Sequence, residues 1–314
     1  MKILVADGLE AEALAKLKKL HSVDVLELPP PKLLEIIGGY DAVIVRSRTK
    51  VTADVIAKGA KLKVIARAGV GVDNIDVGAA TKRKIPVVNA PAASTISVAE
   101  LTIAHMLSLA RRIPQAHASV KAGKWEKKQF EGIELHGRTL GLIGSGRIGA
   151  EVAVRAKAFG MRVVAYDPYL PPKVAAERGI ELTTLEAVLL DADFLSIHAA
   201  LTDETRHMIG AKQLALLKKS AYLVNCARGE IVDEAALAAA IQNGEIAGAA
   251  IDVFEKEPPA GSPILAVENT SLTPHLGAST KEAQVRVGET VAEDVLRVLS
   301  GAKPEFVVNR AIYV

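Results

Sequence analysis

Residues 139–149 read TLGLIGSGRIG: a short apolar run suited to a buried strand, then glycines at 144, 146 and 149 in a G-x-G-x-x-G pattern, opening a segment with helical spacing. A strand–turn–helix that receives a dinucleotide needs glycine for three separate reasons. One glycine makes the tight turn, one lets backbone N–H groups approach a pyrophosphate, and one lets the helix lie close on the strand. The helix that starts near Arg147 then points its positive end at the phosphates. Glycine-rich turns are common, so the context has to carry the reading. A second β-rich run, Arg162–Asp167, ends on an acid 18 residues past Gly149, near the spacing of about 20 expected for a carboxylate that hydrogen-bonds the adenosine ribose. That carboxylate repels a 2′-phosphate, and Tyr166-Asp-Pro-Tyr169 supplies no Arg to hold one. The expected cofactor is NAD, not NADP.

Outward from this motif, short Val/Ile/Leu-rich runs alternate with helical patterns. Expected strands are Lys2–Ala6, Val23–Leu28, Ala42–Arg46, Lys63–Ala68 and Val87–Asn89, then Thr139–Gly144, Arg162–Asp167, Phe194–His198, Ala221–Cys226, Ala247–Val253 and Thr270–Thr273. Continuous apolar runs, as opposed to alternating ones, mark parallel strands covered on both faces. The Pro-rich stretch at 28–32 reads as a turn before a helix. A long helical stretch is expected from Ser94 to about Ala122, and another from about Thr280 to Leu299 before a short strand, Glu305–Val308. In EAALAAAIQ (234–242), Asp233 is the expected N-cap and Gly244 suits the position just past the C-cap. The fold class is α/β. A Rossmann-type doubly wound parallel sheet is expected beside a second, smaller parallel α/β domain.

The chain has 314 residues, half of them hydrophobic and 24% charged, which fits two globular domains and not a disordered chain. Its 39 basic and 36 acidic residues form no long run of one sign, so a nucleic-acid partner is not expected. Cys226 is the only cysteine, which excludes an internal disulfide, and no histidine spacing suits a metal. The N-terminus lacks a basic region followed by an apolar one, and no charge-free apolar stretch reaches membrane-spanning length. A cytoplasmic protein is expected.

Three further segments place polar chemistry at expected strand ends: Val224-Asn-Cys-Ala-Arg-Gly-Glu-Ile-Val-Asp233, Ile251-Asp-Val-Phe-Glu-Lys-Glu-Pro258 and Thr273-Pro-His-Leu-Gly-Ala-Ser-Thr280. In open α/β sheets that edge is where ligands bind. These segments, with VRSRTKVTADVI and RAGVGVDNIDV near the N-terminus and KWEKKQF at 124–130, resemble the D-isomer-specific 2-hydroxyacid dehydrogenase family. The resemblance runs nearly end to end.

The resemblance implies an NAD-dependent dehydrogenase of a small 2-hydroxy acid, within a branch whose acid carries a phosphate. It implies a general acid/base at His275, a partner carboxylate at Glu257 that stabilises the imidazolium, and a carboxylate-binding guanidinium at Arg228, whose planar fork matches two oxygens. Besides Gly144, Gly146, Gly149 and Asp167, it implies cofactor contacts at Arg147, Ile148, Ala199, Cys226, Ala227, Arg228, Asp252, His275, Gly277 and Ala278. Substrate contacts are implied at Arg46, Ser47, Gly69, Val70 and Asn74, with Arg67 and Lys127 as weaker candidates. Nothing in such a reaction needs a thiol, so Cys226 is expected to serve as a small packing residue. The family pattern also implies a flavodoxin-like substrate domain at 1–94 completed by 286–314, an NAD-binding domain at 95–285, closure of the two on substrate, and a homodimer through the region after Ser94. It further implies the lack of a C-terminal regulatory domain. The rival readings are a glyoxylate or hydroxypyruvate reductase on the same scaffold, and an NAD-sensing, corepressor-like binding protein. Arg228, Glu257 and His275 together argue against the second.

Overall fold

The computed structural model describes residues 1–27 and 29–313. In chain order the elements are β1 (Lys2–Val5), α1 (Ala11–Leu20), β2 (Ser22–Val25), α2 (Pro30–Ile36), β3 (Ala42–Val45), α3 (Ala53–Lys58), β4 (Val64–Arg67), α4 (Val77–Lys82) and β5 (Val87–Asn89). There follow α5 (Thr95–Arg111), α6 (Ile113–Lys121), β6 (Thr139–Ile143), α7 (Arg147–Ala158), β7 (Arg162–Tyr166), α8 (Pro172–Glu177), β8 (Glu181–Leu182), α9 (Leu185–Asp191) and β9 (Phe194–Ile197). The chain ends with α10 (Ala211–Leu214), β10 (Tyr222–Asn225), α11 (Glu234–Gln242), β11 (Gly248–Ile251), β12 (Thr270–Leu272) and α12 (Lys281–Leu299). Two compact units result: unit 1 is Met1–Ser94 with Ala278–Val314, and unit 2 is Thr95–Gly277.

Unit 1 holds a parallel five-stranded sheet in the order β2-β1-β3-β4-β5. Alternation along each strand divides its core: Ile3, Val5, Ile44 and Ala66 pack under α1 and α12, whereas Leu4, Val43, Val45 and Ile65 pack on the other face. Burying each such aliphatic side chain contributes roughly 1.5–3 kcal/mol, which is what returns α12 to this unit after the chain has left it. Because α12 lies on this sheet as one rod from its Thr280 cap, residues 278–285 go with unit 1, eight residues before the boundary expected from the family pattern. Unit 2 is a parallel seven-stranded sheet, β12-β11-β10-β9-β6-β7-β8. Helices α5 and α7 cover one face over Leu140, Leu142, Phe194 and Val224; α9 and α11 cover the other over Leu195, Ile197, Leu223 and Ile251. Both are doubly wound α/β sheets, the class expected.

Three local expectations change. The long helix breaks at Arg112, which has a left-handed backbone (φ +52°) and donates to Gln129 O and Asn269 Oδ1. Glu305–Val308 is not a strand: Asp294 caps the amides of Glu305 and Phe306, and only a single bridge joins Val307 to Val88. The β2 strand stops at Val25, and the expected end at Leu28 lies outside the described residues. The two-residue β8 was too short to leave a pattern. Asp233 caps α11 by accepting from Ala236 N at 2.9 Å, and Gly244 is left-handed, φ +68°. Among the described residues no helix is long and apolar enough to cross a membrane, and no group of three or more His, Cys, Asp or Glu is placed to hold a metal ion.

Candidate active site

In unit 2 the strand order reverses between β6 and β9, and the glycine turn stands at the carboxyl end of β6. Gly144 is left-handed (φ +86°), and a Cβ there would lie 2.7 Å from His198 O. A Cβ on Gly149 would lie 2.3 Å from Gly144 O, so this glycine lets α7 close on the turn. Around Gly146 a Cβ would meet nothing within 4 Å. Two glycines are therefore demanded by the protein's own packing, and the third faces open space where backbone can approach a ligand. Arg147 and Ile148 begin α7, whose N-cap, Gly146, offers no capping side chain to the first-turn amides. Asp167, just past β7, accepts from Ser145 N at 2.7 Å and Tyr169 N at 2.9 Å. These residues fit a dinucleotide: free amides at a helix start, a bare glycine, and an acid beside the turn.

Sequence reading missed two neighbours of this turn. Arg178 donates to Ser145 O at 3.1 Å, which brings a guanidinium to the loop from 33 residues away. His198, next to Ala199, bonds Ser196 Oγ through Nε2 at 2.8 Å, and its buried Nδ1 has no partner. Burial pushes this imidazole down to about 4, so it is neutral at pH 7. Burial likewise pushes the Cys226 thiol up to about 12, with Asp252 adding to the effect. A protonated, enclosed thiol packs; it does not attack.

The loops after β10, β11 and β12 bring the expected trio onto unit 2. Asn225 staples the first loop, donating to Arg228 O at 2.9 Å and accepting from Ala227 N at 3.0 Å. A Cβ on Gly229 would lie 1.9 Å from the Phe254 carbonyl carbon, so only glycine lets this loop press on the next. Glu257 faces His275 with both oxygens near Nδ1, at 2.9 and 3.0 Å, and accepts from Phe254 N at 3.3 Å. Burial alone would raise the Glu257 carboxyl. The His275 hydrogen bond and charge, the Phe254 amide and nearby Arg228 outweigh it and hold the group below the usual carboxylate range. A carboxylate at Nδ1 fixes the proton there and leaves Nε2 to exchange protons with a substrate. Asp252 is 1% exposed; it accepts from Leu276 N and Gly277 N at 2.6 and 2.8 Å, and its carbonyl takes His275 N at 2.8 Å. His275 itself is left-handed, φ +55°. Ala278 falls in unit 1, its carbonyl bonded to Gln284.

Unit 1 gathers the expected substrate contacts at the carboxyl ends of β1, β3 and β4. Its strand order reverses beside β1, and there Asp7 accepts from Arg46 N at 2.7 Å, Thr49 N at 3.0 Å and Thr49 Oγ1 at 2.6 Å. Burial works to raise the Asp7 carboxyl, but the Thr49 hydroxyl, the two amides and Arg48 together hold it low. Asn74 closes the same loop from the other side, donating to Arg46 O at 2.7 Å and Thr49 O at 2.5 Å. Its amide hydrogens thus serve the loop, leaving its oxygen for any ligand. The Arg46 guanidinium reaches Glu10 at 3.6 Å and bonds Gln284. Ser47 is exposed. Gly69 is left-handed and lies beneath the Arg67 guanidinium, and the Val70 carbonyl accepts from Asn89 at 2.6 Å. Lys127 is on unit 2, exposed in a 3-10 turn, Lys127–Phe130. Asp7, Glu10 and Gln284 went unread in the sequence; Asp7 had a signal, an acid just past an apolar strand.

Residues 103–277 match the family described as D-isomer specific 2-hydroxyacid dehydrogenase, NAD binding domain. A D-3-phosphoglycerate dehydrogenase from Methanocaldococcus jannaschii is 55% identical over 311 residues, covering 98% of this chain and 59% of that protein. The chain thus spans about three fifths of the length of the curated relatives it matches. Among solved structures, a glyoxylate reductase from Paecilomyes thermophila superposes with a TM-score of 0.91 at 31% identity, covering 98% of each chain. A D-lactate dehydrogenase from Aquifex aeolicus, complexed with NAD and lactic acid, gives 0.86 at 30% identity over 98% of this chain and 99% of that one.

Proposed function

Since the chain belongs to the D-isomer specific 2-hydroxyacid dehydrogenase family, we propose that it oxidises D-3-phosphoglycerate to 3-phosphohydroxypyruvate, the opening step of the phosphorylated route to serine, with NAD. The observation that carries the dehydrogenase reading is the His275–Glu257 pair, 2.9 Å apart beside Arg228 on the unit that holds the glycine turn. His275 Nε2 takes the C2 hydroxyl proton, and Glu257 steadies the imidazolium that forms. Arg228 holds the substrate carboxylate. Bound NAD supplies the hydride acceptor. Gly144, Gly146 and Gly149, with Arg147, Ile148 and Ala199, take the pyrophosphate side, and Asp167 takes the ribose hydroxyls. The main chain of Cys226–Arg228, together with Asp252, His275, Gly277 and Ala278, lies on the nicotinamide side. Arg46, Ser47, Gly69, Val70 and Asn74 bind the acid's remote end, with Arg67 adding charge.

Support for the phosphorylated acid comes from relatives of that activity at 45–55% identity across 98% of this chain. The glyoxylate reductase likeness favours a second reading, reduction of an unphosphorylated 2-oxo acid. Steady-state rates with 3-phosphoglycerate, glycerate and glycolate separate the two: the first reading requires the phosphorylated acid to lead in kcat/KM, and equal or better use of glycerate or glycolate sinks it. Exposed Ile113, Val120 and Trp125, the last 85% exposed, support a homodimer through the region after Ser94; a cytoplasmic setting is part of the same proposal. Sedimentation of the protein as a monomer at micromolar concentration would rule the dimer out.

A further inference from the structure

Helix α5 covers the sheet of unit 2 with Val98, Ala99, Met106 and Leu109, and in the middle of this apolar face stands His105, 3% exposed. A leucine would fill such a position. An imidazole belongs there only if both nitrogens are bonded, since an unpaired polar group costs stability when buried. Both are: Nδ1 lies 3.0 Å from Ser271 Oγ and Nε2 lies 3.0 Å from Thr273 Oγ1.

The direction of these bonds can be deduced. Thr273 Oγ1 lies 2.6 Å from Asp252 Oδ1, and a carboxylate only accepts. The threonine hydrogen therefore goes to Asp252, and its oxygen accepts from His105 Nε2–H. Nδ1, left without a proton, accepts from Ser271. Burial lowers the His105 imidazole against the pull of Asp252, which suits a ring carrying one proton. One directed series results: Ser271 to His105 to Thr273 to Asp252. Beyond it Asp252 holds the amides of Leu276 and Gly277 with its carboxylate and that of His275 with its carbonyl. The segment so held includes a non-glycine residue at φ +55°, a conformation that persists only where the surroundings impose it. The same helix also supplies Val98, 3.2 Å from where a Gly277 Cβ would stand, so no side chain fits between α5 and this segment.

We propose that His105 is a positioning residue for His275, acting through Thr273 and Asp252 to hold the backbone of residues 275–277 and with it the imidazole at Glu257. The proposal rests on the reading of His275 as the acid/base. It assigns α5 a part in the chemistry that its apolar pattern hides.

The test uses the full chain, with 3-phosphoglycerate and NAD as substrates and each rate divided by the NAD-binding stoichiometry from calorimetry. His105→Leu should lower kcat per NAD site by about tenfold or more while KM for the acid moves less than about threefold, the mark of a defect in the chemical step. His105→Gln, whose amide can still donate to Thr273, should regain most of that loss. Thr273→Val should match His105→Leu, and the double variant should be no worse than either, since coupled sites do not add. If His105→Leu does not fold, Thr273→Ser against Thr273→Val makes the same comparison, with the serine active and the valine impaired. Wild-type kcat in both His105→Leu and Thr273→Val overturns the proposal. So does a His105→Gln variant as impaired as the leucine one, or a double loss equal to the sum of the single ones. His275→Ala run alongside separates the failures. If it keeps turnover, the acid/base reading is wrong; if it is inactive while the His105 and Thr273 variants are normal, only the positioning role is wrong.

Discussion

On the proposed reading, the two units meet their ligands at the same kind of place by opposite means. Each has a strand order that reverses beside its first strand, and each puts its candidate ligand loop at that reversal. In unit 2 the loop is stripped to glycine: two glycines let backbone close on backbone, and the third leaves a surface bare. In unit 1 the loop 46–49 is tied at both ends, its amides to Asp7 and its carbonyls to Asn74. A pyrophosphate needs close backbone amides, which only glycine permits. A small acid needs side chains presented at fixed points, which a braced loop provides.

The sharpest way to break the comparison is to add a methyl group to the bare loop. Gly149→Ala sets a carbon 2.3 Å from a carbonyl oxygen, so NAD affinity should fall by at least about 100-fold, about 2.7 kcal/mol, with a lower melting temperature. Gly146→Ala, which meets nothing within 4 Å, should melt like the wild type and lose affinity alone. Calorimetry and thermal unfolding read both; equal behaviour of the two variants would remove the distinction between packing and ligand glycines. Next in size, Asp167→Ser should narrow the preference for NAD over NADP by on the order of tenfold or more, because it removes a repelling charge and leaves the Arg178 guanidinium bonded to the Ser145 carbonyl. An unchanged ratio means another group reads the ribose.

The braced loop should give smaller, more selective effects. Asp7→Asn is expected to raise KM for the acid by about tenfold, about 1.4 kcal/mol, with NAD affinity intact. A matching loss in NAD binding would show that the clamp acts on the whole fold. Asp7 also has a pH signature. Its carboxyl is held below its ordinary value in the folded chain, so its stabilisation is present above the unfolded value of about 3.9. It is lost as pH falls through the lower folded value. Acid titration of stability should be flatter for Asp7→Asn below about pH 4. Smallest of all, Cys226→Ala should leave turnover within about twofold, since a thiol at about 12 takes no part; a tenfold loss would reopen its role.

This contrast also explains what could be read in advance. The glycine turn and its acid are legible because a local shape demands fixed residue types at fixed spacing within one strand–helix–strand. The inner strands were legible because both sheet faces are buried there, which makes their runs continuously apolar, as in Ala42–Val45 and Phe194–Ile197. The clamp was not, because Asp7, Thr49 and Asn74 come from separate stretches: Asn74 was placed only by family resemblance, and an acid just past β1 does not show which loop it holds. The break at Arg112 was hidden for a related reason: its partners, Gln129 and Asn269, are remote in sequence. His105 was hidden by the apolar pattern around it, since periodicity records that a position is buried but not what it bonds there. The His275–Glu257 pair was placed by family resemblance; chemistry alone set only the residue types needed.

In the proposed mechanism His275 is the group that moves the proton, on the unit that carries the glycine turn. The most direct measurement is kcat for His275→Ala together with its NAD dissociation constant. A loss of about 10²–10⁴-fold in kcat, with NAD binding within about threefold of wild type, is the predicted result. Turnover near the wild-type rate would contradict it.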